Sequence, residues 1–521
     1  MQSFLSKHAD KISGVLHCFD RVIVRGHLPL ARGTNYLMGW MTAKKIALNL
    51  QSPPDGWWNF KQAAPWFSGK LKAHAKELAA RAKRPYIHLP SHERMEENAR
   101  AMAKADGIQE GLVCVYGTNE TCRTFRVHFG DHGPELKPDL RVCLVLYFYR
   151  IDRDFGLMHV KLQTWLPFTV QVYVNGHEWL ARKLMAQGID FRKVDNAFTW
   201  LADVERAQRC VPGLWRRDWP KFLDSWARRV NPLMADWLAG QSYYWVIDQA
   251  EFSTDVLFSG PKALETLRPR LYEHAALCFG ADQVMTFLGR KYRGTFQGEI
   301  KTKWHRREPG GAVKHWMKRN ALKMYDKDGR VLRLETVIND SKEFFVHRCR
   351  EKQNGRQEVG WFPMTKGVAN LYRYAEVSQS ANARYLEALS VVDDLGAGQR
   401  ELDQRCAPVL YQGRKRRGLQ PLGRDDQALF RATLRGEHAV RGFRNGELGE
   451  QLFGSTPDDP SERRKQCGRI SRRISLLRAH GLVCKVPRAR RYHVTVRGQR
   501  FMSAAIYLRT KLFPHELSQR T

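Results

Sequence analysis

Between Gly111 and Val174 the chain runs through five strand-like segments, Gly111–Tyr116, Phe125–Phe129, Arg141–Ile151, Leu157–Trp165 and Phe168–Val174. A parallel pair of strands needs a crossover of a dozen residues or more. The turn Ile151-Asp-Arg-Asp-Phe-Gly156 is far shorter, so residues 141–150 and 157–165 are expected to pair antiparallel. That constraint argues against a doubly wound sheet. It sets the class as α+β, a mixed or antiparallel sheet body with helical insertions.

The rest of the chain is read around that sheet. Residues 12–29 form a strand signature with Asp20 in its middle, and residues 61–84 and 94–104 read as helices. Asn175-Gly176 turns the chain into a helix from His177 to Gln187. Residues 199–240 are helical, with Trp200, Trp215, Trp219, Trp226 and Trp237 taken as core packing. Tyr243–Ile247 and Asp255–Phe258 are strand-like, and helices follow over Pro261–Cys278 and Ala281–Arg290. A second β region holds strands Phe296–Lys303 and Val313–Met317 around a turn at Pro309-Gly-Gly311, then a hairpin over residues 320–337. Met364 to Val392 is helical and carries Tyr372, Tyr374 and Tyr385, and a linker opens at Asp393. The expected division is 1–110, 111–260, 261–395, a basic linker 396–420 and a last domain 421–521. No internal repeat is legible.

Charge narrows the partner. Lys and Arg number 87 against 53 Asp and Glu, a net +34, which points to a polyanion. Residues 411–521 carry 25 basic and 9 acidic side chains, a net +16, so the other +18 lies on the first 410 residues. No apolar run is long enough to cross a membrane, and the first residues lack the apolar core of a secretory signal. A cytoplasmic protein with no membrane partner is expected. The ten cysteines never form Cys-x-x-Cys and read as reduced thiols, with Cys114 and Cys143 buried. His27, His88, His92, His128 and His132 show no ligand spacing, and no Walker loop, G-x-S-x-G or H-E-x-x-H occurs.

The residues from Arg441 to Gly498 have the order helix, helix, strand, basic tip, strand. In the second helix Ile470, Ile474 and Leu477 recur at the spacing of one buried face, leaving Arg469, Arg472, Arg473 and Arg478 largely outside it. Gly481 is a natural C-cap. Arg488-Ala-Arg-Arg491 joins two alternating strands, so Arg488, Arg490 and Arg491 sit on the tip. This stretch resembles a MarR-like winged helix-turn-helix. The resemblance implies DNA as partner, a helix for the major groove, the tip for phosphate, and a homodimer as the oligomer such modules form.

In the hairpin, a three-residue loop Lys327-Asp-Gly329 puts Lys323, Tyr325, Arg333 and Glu335 on one face and Leu322, Met324, Leu332 and Leu334 on the other. Cations on such a face neutralise phosphate, and Glu335 can hold a metal or act as a base. Lys323-Met-Tyr-Asp-Lys327 with Leu332-Arg-Leu-Glu335 resembles a segment of rolling-circle replication initiators. That resemblance implies a tyrosine nucleophile, sought among Tyr372, Tyr374 and Tyr385, and a divalent metal. The family's His-hydrophobic-His strand has its nearest counterpart at His159-Val-Lys161, where the second His is missing.

Carboxylates drawn from separate strands are the other route to the same chemistry. Asp20 lies mid-strand; Asp248, Glu251 and Asp255 flank another strand; Glu335 closes the set. Hard cations take oxygen ligands, and paired Mg²⁺ sites of nucleases and transposases are built this way. An ion pair of Asp20 with Arg21 or Arg25 explains Asp20 equally well. The candidate catalytic residues are Asp20, Asp248, Asp255, Glu335, Tyr325 and Tyr374, and Mg²⁺ would be held by the four acids. The expected function is metal-dependent DNA strand cleavage or transfer of the kind mobile elements and replicons encode. The rival is a non-enzymatic DNA-binding regulator or the protein half of a ribonucleoprotein, with structured RNA as partner.

Overall fold

The strand expected over residues 12–29 forms as β1 (Ile12–His27) and lies at the centre of an eleven-stranded sheet. The computed structural model describes every residue except 50, 91–93, 292–295, 306–310, 352–355, 393–394, 437, 439–441, 456 and 515–521. Of the positions singled out above, His92, Pro309, Gly310, Asp393 and Arg441 lie outside the described residues. The chain divides into two units, Met1–Val392 and Asp393–Thr521.

In the first unit the remaining strands of the sheet are β2 (Tyr86–His88), β3 (Gly111–Gly130), β4 (Gly133–Asp152), β5 (Gly156–Gln163), β6 (Val170–Asn175), β7 (Tyr244–Phe258), β8 (Ile300–His305), β9 (Ala312–Met317), β10 (Asn320–Lys327) and β11 (Val331–Ile338). Their spatial order is β8-β9-β10-β11-β7-β1-β6-β5-β4-β3-β2. Only the β2–β3 pair in this sheet is parallel, so the sheet is mixed and the class is α+β. Strands from all three N-terminal sequence segments share it.

The order repeats about the β7–β1 seam. Outward from β1 come β6, β5, β4 and β3; outward from β7 come β11, β10, β9 and β8. Each half sends its first strand to the centre, then returns inward through four strands; the first half carries β2 as an additional strand at its rim. The repeat lies in topology, which is why hydropathy alone did not reveal it.

Side-chain alternation divides the two faces. One face of the central strands carries Phe19, Val22, Phe252, Val256, Leu332 and Leu334, all buried. Helix α2 (Leu371–Ala388) packs there, its Asn382 amide donating to the Phe252 carbonyl and to Thr254 Oγ1 at 3.1 Å each. The other face is polar and holds the candidate site. Helix α1 (Gly176–Ala186) follows β6, capped by Asn175 accepting from the Glu178 amide. Trp219 and Trp226 are buried as expected, whereas Trp200 is exposed.

The second unit contains helices Arg424–Thr433, Asn445–Phe453, Pro460–Ala479 and Val496–Tyr507, with a two-stranded ribbon Val483–Lys485/Tyr492–Val494 and a hairpin Val409–Tyr411/Arg414–Arg416. Ile470, Ile474 and Leu477 are buried in its own core with Phe430, Leu448 and Met502. Gly481 follows the long helix at φ +68°, the left-handed conformation glycine favours. Among the described residues no helix is long and apolar enough to cross a membrane. Cys114 and Cys143 are buried, whereas Cys349, Cys406, Cys467 and Cys484 are exposed.

Candidate metal centre

Asp20 lies at an irregularity in the β1–β7 ladder. Phe19 pairs with Phe252 and Arg21 with Glu251, so Asp20 is the extra residue of a bulge. A bulge re-aims a side chain that strict alternation would send elsewhere. Here alternation from Cys18, which pairs with Ser253, already puts Asp20 on the polar face, and the bulge brings Arg21 onto it as well. On β7 and β11, Glu251, Asp255, Arg333 and Glu335 share that face, because Ser253 pairs with Glu335 and Asp255 with Arg333. Across the hairpin Lys323 pairs with Glu335 and Tyr325 with Arg333. The four hairpin residues therefore share a face as expected. The loop sits one residue later than expected, at Asp328–Arg330, with Asp328 and Gly329 both at positive φ.

Two buried networks meet here. In the first, Arg333 is fully buried and binds Asp255 bidentately, Nε to Oδ1 and Nη2 to Oδ2, both at 2.7 Å. Its Nη1 donates to Asp20 at 3.2 Å and its Nη2 to the Asn196 carbonyl at 2.7 Å. His177, the second residue of α1, joins Asp20 through Nδ1 at 3.1 Å. Its Nε2 lies 3.1 Å from Arg333 Nη2. With the proton on Nδ1, the ring turns that proton toward the Asp20 carboxylate and leaves Nε2 to accept from Arg333. Burial opposes ionisation of Asp20, yet the His177 hydrogen bond and the Arg333 charge hold its carboxyl well below the usual range. The same contest leaves Asp255 at about 2: burial is the largest influence and pushes it up, but the charges and hydrogen bonds of Arg333 and His177 together outweigh it.

In the second network Lys323 Nζ lies 2.5 Å from Glu335 and 3.4 Å from Glu251, and the Tyr325 hydroxyl donates to Glu335 at 2.5 Å. Ligand oxygens of Asp20, Glu251 and Glu335 all lie within 4.8 Å of one another, and all three residues are buried. Three carboxylates suit a hard divalent cation. Lys323 bridges two of them already, so an ion fits by displacing one ammonium.

Burial pushes the Glu335 carboxyl up to about 7; Lys323 opposes the shift and the charge of Glu251 adds to it. A carboxyl raised in the folded state contributes stability that is present below its unfolded value, 4.5, and lost as pH rises through about 7. Glu335→Gln is expected to lose less stability than the wild type between pH 5 and pH 8. Urea midpoints at the two pH values measure this, and equal losses would contradict it.

The structure redistributes the other candidates. Asp248 is also at a bulge, but it pairs with Arg25 at 2.5 Å and is not one of the three convergent acids. Asp255 is near them yet clamped by Arg333. Arg333 itself is fully buried, so it serves carboxylates and not a phosphate. Tyr374 and Tyr385 are core residues of α2, which packs on the opposite face of the sheet; Tyr385 bonds His315 at 2.9 Å. Tyr372 is exposed on the same helix. Tyr325 is the tyrosine beside the carboxylates. His159 is stacked on Tyr173 with centroids 5.0 Å apart, and burial pushes it down to about 3.

His177 and Asn196 belong to the site and were not expected there. Their signal is faint: Asn175-Gly176-His177 reads as an ordinary turn into a helix. Gly176 is needed for close approach, since a Cβ there would lie 2.2 Å from the Phe19 carbonyl oxygen. Gly176→Ala is expected to cost about 1–3 kcal/mol by pushing α1 off β1. An unchanged urea midpoint would refute that packing argument.

In the second unit Arg469, Arg472, Arg488 and Arg490 are exposed. Arg473 lies 5.2 Å over the Phe453 ring, and Arg478 lies over Tyr411 and Tyr492. Arg491 is held by Glu447 at 3.5 Å and the Gly442 carbonyl at 3.1 Å. A cavity of about 330 Å³ is lined by Lys415, Arg416, Arg417, Arg469, Arg472, Arg473 and Leu476. No protein-family model, curated protein or solved structure matches the chain.

Proposed function

We propose that the protein binds nucleic acid and cleaves or transfers phosphodiester strands with a divalent metal at Asp20, Glu251 and Glu335. The observation that carries the reading is the convergence of those three carboxylates from three adjacent strands within 4.8 Å. The net charge of +34 supports a polyanionic substrate around an acidic centre. Bound there, Mg²⁺ would polarise a phosphoryl oxygen and lower the pKa of a water. Lys323 screens the acids from one another and offers phosphate a charge. Glu335 accepts a hydrogen bond from Tyr325, which helps fix its orientation among the three acids.

The test is incubation of the full chain with labelled DNA and RNA in Mg²⁺, Mn²⁺ or EDTA. Products that need the metal support the reading; none under any condition overturns it.

The second unit is assigned to DNA as a winged helix. Its helix Pro460–Ala479 would face the major groove and the tip Arg488–Arg491 the backbone. For the double variant R469A/R472A, the slope of log affinity against log salt on duplex DNA is expected to fall by about 1.8. An unchanged slope would remove those arginines from the interface.

A non-enzymatic DNA-binding protein is the second reading. What favours it is that Asp20 and Asp255 each pair with Arg333, and Glu251 and Glu335 with Lys323.

A further inference from the structure

Lysines stand side by side on three neighbouring strands of the first unit. Lys303 on β8 pairs with Lys314 on β9, which pairs with Lys323 on β10, which pairs with Glu335 on β11. Paired residues share a face, so the three ammonium groups form a ladder across the polar face, ending at the carboxylates. Strands lie about 4.8 Å apart, so the ladder spans roughly 10 Å from its first lysine to its last. Like charges directly opposite one another destabilise a sheet. Here burial and the charge of Lys323 push the Lys314 pKa down, and Glu251 and Glu335 offset that only in part.

An aromatic surface accompanies the ladder. Trp316 lies two residues from Lys314 on the same face of β9 and pairs with Lys301 on β8. Lys314 Nζ is 4.5 Å and Lys301 Nζ 5.6 Å from its ring centroid. Cations following a backbone beside an aromatic face are the means by which proteins hold single strands. On the far side of the carboxylates the face continues through Arg21 and Arg25. Arg25 helps line a cavity of about 570 Å³ with Arg32, Arg123 and Lys161, where Glu120 is the acid.

The burial of the carboxylates limits what can reach them. Glu335 is fully buried and Asp20 is 5 % exposed, whereas the Lys323 side chain is 23 % exposed. A phosphate on a rigid duplex stays at the surface of its cylinder; a flexible strand can be drawn in. We infer that the substrate of this site is a single strand, laid across β8–β10 with phosphates on Lys303, Lys314 and Lys323 and a base on Trp316. This rests on the carboxylates being the reaction centre.

The test uses the full chain carrying R469A/R472A, so that the second unit contributes less, with EDTA present to prevent cleavage. Binding of a ~15-nucleotide fluorescent single strand, as DNA and as RNA, is followed by anisotropy against salt. K303Q/K314Q is expected to lower the salt slope by about 1.4, with an equal or higher urea midpoint. Trp316→Ala is expected to weaken binding about 5- to 100-fold. Unchanged single-strand binding in both variants, or a duplex of the same sequence competing equally well, overturns the track. Because binding is read without metal, a strand held here but never cut in Mg²⁺ removes the reaction centre and leaves the track standing. A strand cut at the same rate by K303Q/K314Q removes the track and leaves the centre.

Discussion

Arg333→Met is expected to destabilise the first unit by about 3–5 kcal/mol, measured by urea unfolding at pH 7. The guanidinium is fully buried and bonds both Asp20 and Asp255, with His177 the neighbouring group that also approaches both acids. Removing it leaves two carboxylates, one fully buried and one nearly so, without that charge. Breaking such a network is costly because the remaining charges stay desolvated. The prediction has an internal control. In R333M/D255L the larger buried acid–base couple disappears together, and replacing both partners by apolar groups is often near neutral. The double variant should therefore recover much of the loss. A single variant within about 1 kcal/mol of the wild type would mean that water reaches Asp255 as soon as the arginine leaves.

Glu335→Gln should reduce metal-dependent strand cleavage by about 10²–10⁴ while the folded unit persists. The amide keeps the shape of the carboxyl and can still accept from Tyr325, but it cannot carry charge to a cation. Lys323→Met separates this account from a purely structural one. With the ammonium gone, Glu251 and Glu335 lose their shared counter-ion. A metal centre then binds Mn²⁺ more tightly, and added Mn²⁺ raises the unfolding midpoint of the variant. An ion-pair network of no further purpose gives a destabilised protein indifferent to Mn²⁺. Cleavage by Glu335→Gln at the wild-type rate would exclude Glu335 from the chemistry.

How far these residues could be read in advance depended on local pattern. The hairpin face was legible because alternation over Lys323–Glu335 is strict and Gly329 marks the turn. Asp20 is legible as an acid among apolar residues, but not the bulge that sets Arg21 beside it on the same face. In sequence, strand β7 reads as two short strands because Ile247-Asp-Gln-Ala-Glu-Phe-Ser-Thr-Asp255 is too polar to look buried. It is one continuous strand, and its polar side chains are satisfied by Arg333, Lys323 and His177 from elsewhere in the chain. That is also why Asp248 and Glu251 exchanged importance: a further bulge in the ladder falls at Asp248 and breaks the alternation there. Tyr374 was misplaced because a helix following a strand in sequence says nothing of which face it covers.

The seam between the two halves of the sheet also sets a timetable. β1 ends at His27 and its partner β7 begins at Tyr244. A ribosome adding about 5–20 residues per second needs roughly 10–40 s to make the intervening chain. Throughout that interval the first half can complete its meander and pair β6 with one side of β1. The other side of β1 has no neighbour, and it presents Phe19, Val22 and Val24 on a bare backbone edge. Unpaired apolar edges recruit other chains. Yield in a cell should then depend on what shelters the nascent half-sheet, and slowing synthesis between His27 and Tyr244 would lengthen the exposure.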